Sequence, residues 1–240
     1  MKAELRALGS QVRLDLKIGK QPLFLVTLFI YLSYWAAIIM GNADYPQTVY
    51  YFSEMGMFPV VILLAVLLFE REIGGGGMEV IATYPVSLKF MVIRKWTLSL
   101  ALSAVAGVGW MFIYRAKFGE IMTRVYPWNG EEAAAAQVGF LTLLLQTLPA
   151  YMLLASVAVL GIVWFQKLYG GLVLAFALWM LDTISFGKIL GKCTLYAAYL
   201  PEGVSFVANR IILMAISCVC LLMAVWVIDR RERWIGREEE

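Results

Sequence analysis

The chain has 240 residues, 62% of them hydrophobic and only 15% charged, with 20 Lys and Arg against 17 Asp and Glu. Ordinary globular chains are about half apolar and a quarter charged, so the composition excludes a soluble domain and predicts an all-α, polytopic membrane protein, one domain over 1–240. A net charge of +3, scattered along the chain, excludes nucleic acid as a partner, and the three cysteines imply no disulfide framework. The absence of histidine removes the commonest general base and metal ligand, and with it Ser–His proteases, His-dependent lipid phosphatases and His-ligated zinc or haem sites.

Residues 1–20 mix acids and bases, and Leu5, Leu8, Val12 and Leu16 recur at helical spacing. That pattern predicts an amphipathic helix lying on the membrane surface, not a cleavable signal. A bilayer core needs roughly 20 apolar residues as helix. The runs that meet this lie at about 22–40, 49–69, 96–114, 138–164, 168–187 and 211–228, which predicts six spans. Glu54 lies near one end of the second. Ser99, Ser103 and Gly107 on the third form a small-residue stripe suited to close helix packing. The fourth is expected to bend near Pro149, with Ala133–Ala136 at the interface. The fifth contains one charge, Asp182, and a charge at membrane depth faces a partner or a water-filled path. Trp164, Phe165, Gln166 and Lys167 form a short turn between spans four and five. Tyr126–Trp128 and Tyr196–Pro201 place aromatics at headgroup level in the loops opposite the termini. If both termini are cytoplasmic, fourteen of the 20 Lys and Arg fall inside and six outside, so the positive-inside rule puts both termini in the cytoplasm.

Between spans two and three the loop 70–95 opens with Glu70-Arg71-Glu72-Ile73-Gly74-Gly75-Gly76-Gly77. Four glycines permit a sharp turn. Met78 to Thr83 then predicts a short surface helix, Pro85 should end it, and Ser87 is placed to cap the helix that follows. A short helix held beneath two spans is suited to press into a groove on a cytoplasmic protein, whose motion would then move both spans.

This loop resembles the signature of type-2 ABC transporter permeases, in which a segment close to E-R-E-x-G, an acid, then P-V-S follows the second of six spans and forms the coupling helix. Glu70, Arg71, Glu72, Gly74, Glu79, Pro85, Val86 and Ser87 match it, with Thr83 just before and Lys89 just after the P-V-S string. Gly75–Gly77 replace the usual Thr and lengthen the turn by two residues. The resemblance implies an ATP-driven exporter half, working as a dimer with an identical or homologous second permease. ATP and Mg would be held by separate ABC ATPase subunits, with no cofactor or metal in this chain. It also implies a second ATPase contact at Gln166 and Lys167, a path wall at Asp182 and Glu54, short re-entrant helices over about 189–207, membrane lipid around the spans, an exported substrate, and residence in a prokaryotic cytoplasmic (inner) membrane. The chain carries no phosphate loop of its own: Gly187-Lys188 and Gly191-Lys192-Cys193-Thr194 have the wrong glycine spacing. Glu131-Glu132 lacks the following Arg (Ala136 stands there) and the histidines that intramembrane CAAX-type proteases use. A reading of a different class is a non-transporting scaffold or regulator that docks a cytoplasmic protein through the same loop.

Overall fold

A computed structural model describes residues 15, 19, 21–42, 49–84, 86–123, 136–230, 232 and 234. The expected amphipathic helix over 1–20, apart from Asp15 and Gly19, lies outside the described residues, as do Pro85, Tyr126–Trp128, Glu131 and Glu132.

The fold is all-helical apart from one two-residue ladder. Helix α1 spans Pro22–Met40, with proline at its first position, where no N–H is needed. A π-turn, Tyr51–Gly56, leads directly into α2, Met57–Leu67. A second π-turn, Glu70–Gly74, precedes the short α3, Gly77–Thr83, and the long α4, Leu88–Phe118. Met122–Thr123 (β1) pairs antiparallel with Ala136–Gln137 (β2), which puts Ala136 in a ladder, while Ala133–Ala135 lie outside the described residues. Helices α5, Phe140–Phe165, α6, Leu168–Ser185, and α7, Phe206–Ile228, complete the bundle, with 3₁₀ turns at Gly191–Cys193 and Ala197–Tyr199 between the last two.

Among the described residues, five helices are long and apolar enough to cross a membrane: α1, α4, α5, α6 and α7. This gives the chain its multi-pass membrane character. The apolar stretch expected as the second span is a shorter segment, Tyr51–Leu67. Every residue of α2 is buried, whereas α1, α4, α6 and α7 expose Phe29, Val105, Val173 and Leu222 on their outer faces. An apolar surface of this kind is solvated by lipid.

The third apolar helix begins at Leu88, behind the Ser87 cap, and carries Lys89, Arg94 and Lys95 ahead of the uncharged stretch from Trp96, as expected. The fourth spans Phe140–Phe165 with Pro149 inside it.

Packing centres on α5, which meets α7, α6, α4 and α2. Its approach to α6 is a backbone contact: a Cβ on Gly161 would sit 2.6 Å from the Gly170 carbonyl oxygen, and one on Gly171 2.5 Å from that of Ala158. Small residues at this crossing replace side-chain interdigitation with direct backbone contact. The stripe of Ser99, Ser103 and Gly107 is buried as expected, and a Cβ on Gly107 would touch Leu144 at 3.5 Å. Trp96 Nε1 donates to Ser156 Oγ at 2.9 Å, and Ser156 and Ser217 share a hydrogen bond of 2.8 Å, so one polar chain ties α4, α5 and α7.

Candidate functional site

The connection between α2 and α4 is built from its glycines and charges upward. Helix α2 passes into the Glu70–Gly74 π-turn, a geometry frequent at functional sites. The chain then reverses at Gly76, which adopts φ +69°, a left-handed conformation suited to glycine. Helix α3 follows and stops at Thr83. Tyr84 is extended at φ −84°, ψ 153°, as expected before Pro85. Ser87 Oγ accepts from Phe90 N–H at 3.3 Å and starts α4. The short helix, its glycine turn and its serine cap therefore stand where the sequence places them.

Each member of the acid–base–acid triplet has a different environment. Glu70 is partly buried near the first turn of α1; burial raises its carboxyl above the ordinary 4.5, an effect that the Leu23 backbone offsets only in part. Arg71 is exposed. Glu72 accepts from Lys95 Nζ at 2.8 Å. The Lys95 ammonium is only 1% exposed. It also donates to the Leu68 carbonyl at the end of α2, and lies 3.3 Å from Asp15 Oδ1. Arg94 Nε donates to the second oxygen of Asp15 at 2.8 Å. Asp15, Glu72, Arg94 and Lys95 thus balance one another and join Asp15, the elbow and α4.

On this base α3 shows two faces. Met78 and Ala82 are buried, whereas Glu79, Thr83 and Val80 are exposed, Val80 by 59%. Tyr84, Val86 and Ser87 extend that surface, and a cleft of about 410 Å³ opens beside it, lined by Asp15, Arg71, Glu72, Val80, Ile81 and Arg94. Glu79 is exposed on this surface, whereas Glu72 is bound to Lys95. Lys89 is drawn aside to Asp229 at the end of α7, 3.0 Å away. The turn at Gln166 and Lys167 stands next to the elbow: a Cβ on Gly74 would lie 2.8 Å from Leu168 Cδ1. Lys167 is exposed and rests over the Tyr169 ring, 5.5 Å from its centroid. The structure therefore brings both expected contact regions onto one surface.

Asp182 and Glu54 lie elsewhere, at the far end of the bundle, and both are fully buried. Asp182 Oδ2 accepts from Leu195 N at 2.7 Å and Thr194 Oγ1 at 3.0 Å. Glu54 accepts from Ala197 N at 3.1 Å and lies 3.3 Å from Arg210. Asn209 donates to the Lys192 and Thr194 carbonyls, and Arg210 to that of Leu195. Four buried side chains from three parts of the fold thus satisfy the irregular backbone of 192–197. Such backbone is tolerated at membrane depth where it is enclosed by protein or lines a water-filled cavity. Asp182 and Glu54 hold this segment, and both side chains are fully buried.

Sequence reasoning missed the roles of Asp15, Lys95, Asn209 and Arg210. A signal existed for two of them: Lys95 is the last charge before one uncharged stretch, 96–114, and Arg210 the last before another, 211–228.

Comparison with family models, with curated proteins and with solved structures finds no match to this chain.

Proposed function

We propose that the chain is the permease subunit of an ATP-driven type-2 ABC exporter. It works as a dimer of permeases on separate ATP-binding subunits, in a prokaryotic cytoplasmic membrane. In this reading Tyr51–Leu67 is the second of six spans. It is short because the other helices sheathe it, and both termini and the elbow face the cytoplasm. ATP and Mg are held by the partner, and hydrolysis occurs there.

The observation that carries the reading is α3 itself. A seven-residue helix is pinned beneath two apolar helices by its buried face and by the charges under it. Its other face presents Glu79, Val80, Thr83 and Tyr84 to a partner. The resemblance of Glu70–Glu72, Gly74 and Pro85–Ser87 to the permease signature supports the same reading, and so does the neighbouring Gln166–Lys167 turn. Closure of the nucleotide-bound subunits displaces α3, and the displacement tilts α2 and α4 to open a path for the exported substrate.

The test is purification of the tagged chain from its native membrane, with assay of nucleotide hydrolysis. A stoichiometric subunit with a phosphate loop is expected. Glu79→Arg with Val80→Asp should reduce its recovery at least about tenfold, the effect of losing about 1.4 kcal/mol at a docking surface, while the permease stays in the membrane. Recovery of a partner without nucleotide-binding motifs or hydrolysis would replace the exporter with the scaffold reading.

A further inference from the structure

Lys95 stands out among the buried charges because every acceptor around it comes from a different element. Its ammonium has three donors. One goes to the Leu68 carbonyl at the end of α2, one to Glu72 in the elbow at 2.8 Å, and the third faces Asp15 of the N-terminal segment at 3.3 Å. The Phe69 ring lies 5.4 Å below it. Lys95 itself belongs to α4 and is 1% exposed. Buried charges of this kind add little net stability, because desolvation offsets the attraction. Apolar residues of similar volume would hold the four elements together as well. An ammonium does something that packing does not: it fixes direction and register between elements that meet at a single point.

We propose that Lys95 is the positioning residue through which displacement of the elbow reaches α4, with Glu72 and Asp15 as its counter-charges. The inference rests on the exporter reading. Helix α3 touches the partner, but its own covalent link to α4 is not helical: Tyr84 and Ser87 have extended backbone. A pull on α3 would be absorbed there. The Glu72–Lys95 bond bypasses that stretch and joins the elbow to the first turns of α4 directly, and Leu68 ties the same ammonium to α2. Arg94 and Asp15 brace the arrangement from the side.

The experiment uses the assembled complex with its native cysteines, Cys193, Cys218 and Cys220, replaced by serine. One reporter cysteine stands on α3 (Thr83→Cys) and, in a separate protein, one at the far end of α4 (Lys117→Cys). Maleimide labelling rates are compared with and without ATP plus vanadate. In the parent complex both reporters should change rate by about fivefold or more, the lower range of ordinary site-to-site coupling. The variant is Glu72→Gln with Lys95→Met, which removes that pair together and leaves Asp15 compensated by Arg94. It should retain thermal stability, ATPase recovery and the Thr83→Cys response, while the Lys117→Cys response disappears. Lys95→Arg in the charged background should restore that response in part. A full Lys117→Cys response in the neutral variant would overturn the assignment and leave the exporter reading standing. A parent complex without an ATPase, or with neither reporter responding, would overturn both.

Discussion

The two ends of the bundle each bury charge, but they use it differently. At the elbow, Asp15, Glu72, Arg94 and Lys95 pair side chain to side chain, across elements distant in sequence. At the far end, Glu54, Asp182, Asn209 and Arg210 spend their hydrogen bonds mainly on the backbone of one segment, 192–197. The first arrangement leaves an amphipathic helix on display above it. The second encloses its segment, with Thr194, Leu195, Tyr196 and Ala197 all buried. Side-chain pairs between elements set register and can be loaded from outside, whereas side chains that satisfy irregular backbone fix one conformation. In this account the elbow is where force enters, and the far end is a fixed seal.

The largest effect should come from breaking the seal. Arg210→Met leaves Glu54 buried and uncompensated, and should cost about 3–5 kcal/mol, measured as a fall in thermal unfolding temperature of the purified protein. Adding Glu54→Gln should recover most of the loss; without that recovery, Arg210 acts by packing alone. Next, Asp182→Asn weakens charge-assisted hydrogen bonds to Leu195 and Thr194. It should cost about 1.5–3 kcal/mol, with faster hydrogen exchange confined to 192–197. Exchange spreading evenly through the bundle would erase the distinction between the two ends.

At the elbow the stability effects are smaller. Ser87→Ala removes the cap on α4 and should cost about 1 kcal/mol, read in the same unfolding assay. Lys89→Ala breaks a half-exposed pair with Asp229 and should cost no more than about 1 kcal/mol. Glu70 supplies the smallest and most specific signal. Its carboxyl is raised by burial, so the folded state holds the proton more tightly than the unfolded chain. The resulting stabilisation is complete below the ordinary 4.5 and is lost as pH rises through the raised value. Stability should therefore improve as pH falls from neutral toward that range, and Glu70→Gln should flatten the improvement.

What the sequence made legible differs between the ends for the same physical reason. The elbow is local: four glycines, a proline and a capping serine within about twenty residues dictate turn, helix and restart, so α3 and the start of α4 could be placed in advance. The small-residue stripe on α4 was legible because helical spacing alone puts Ser99, Ser103 and Gly107 on one face. The seal is non-local. Glu54 meets Arg210 across 156 residues, and no periodicity encodes that meeting. Asp182 was visible as a charge at membrane depth, but its partners, the Leu195 N–H and the Thr194 hydroxyl, lie in an irregular loop that no periodicity places. Lys95 read as one more basic residue at the edge of a span, because its burial depends on Asp15 and Glu72 arriving from either side.

The central claim is that the exposed face of α3 docks an ATP-binding subunit. Photo-crosslinkers placed one at a time at Glu79, Val80, Met78 and Ala82 in native membranes test it most directly. The account predicts that the adducts from positions 79 and 80 contain a subunit with a phosphate loop, and that positions 78 and 82, which face the core, give none. Adducts from 79 and 80 that contain no nucleotide-binding protein would contradict it.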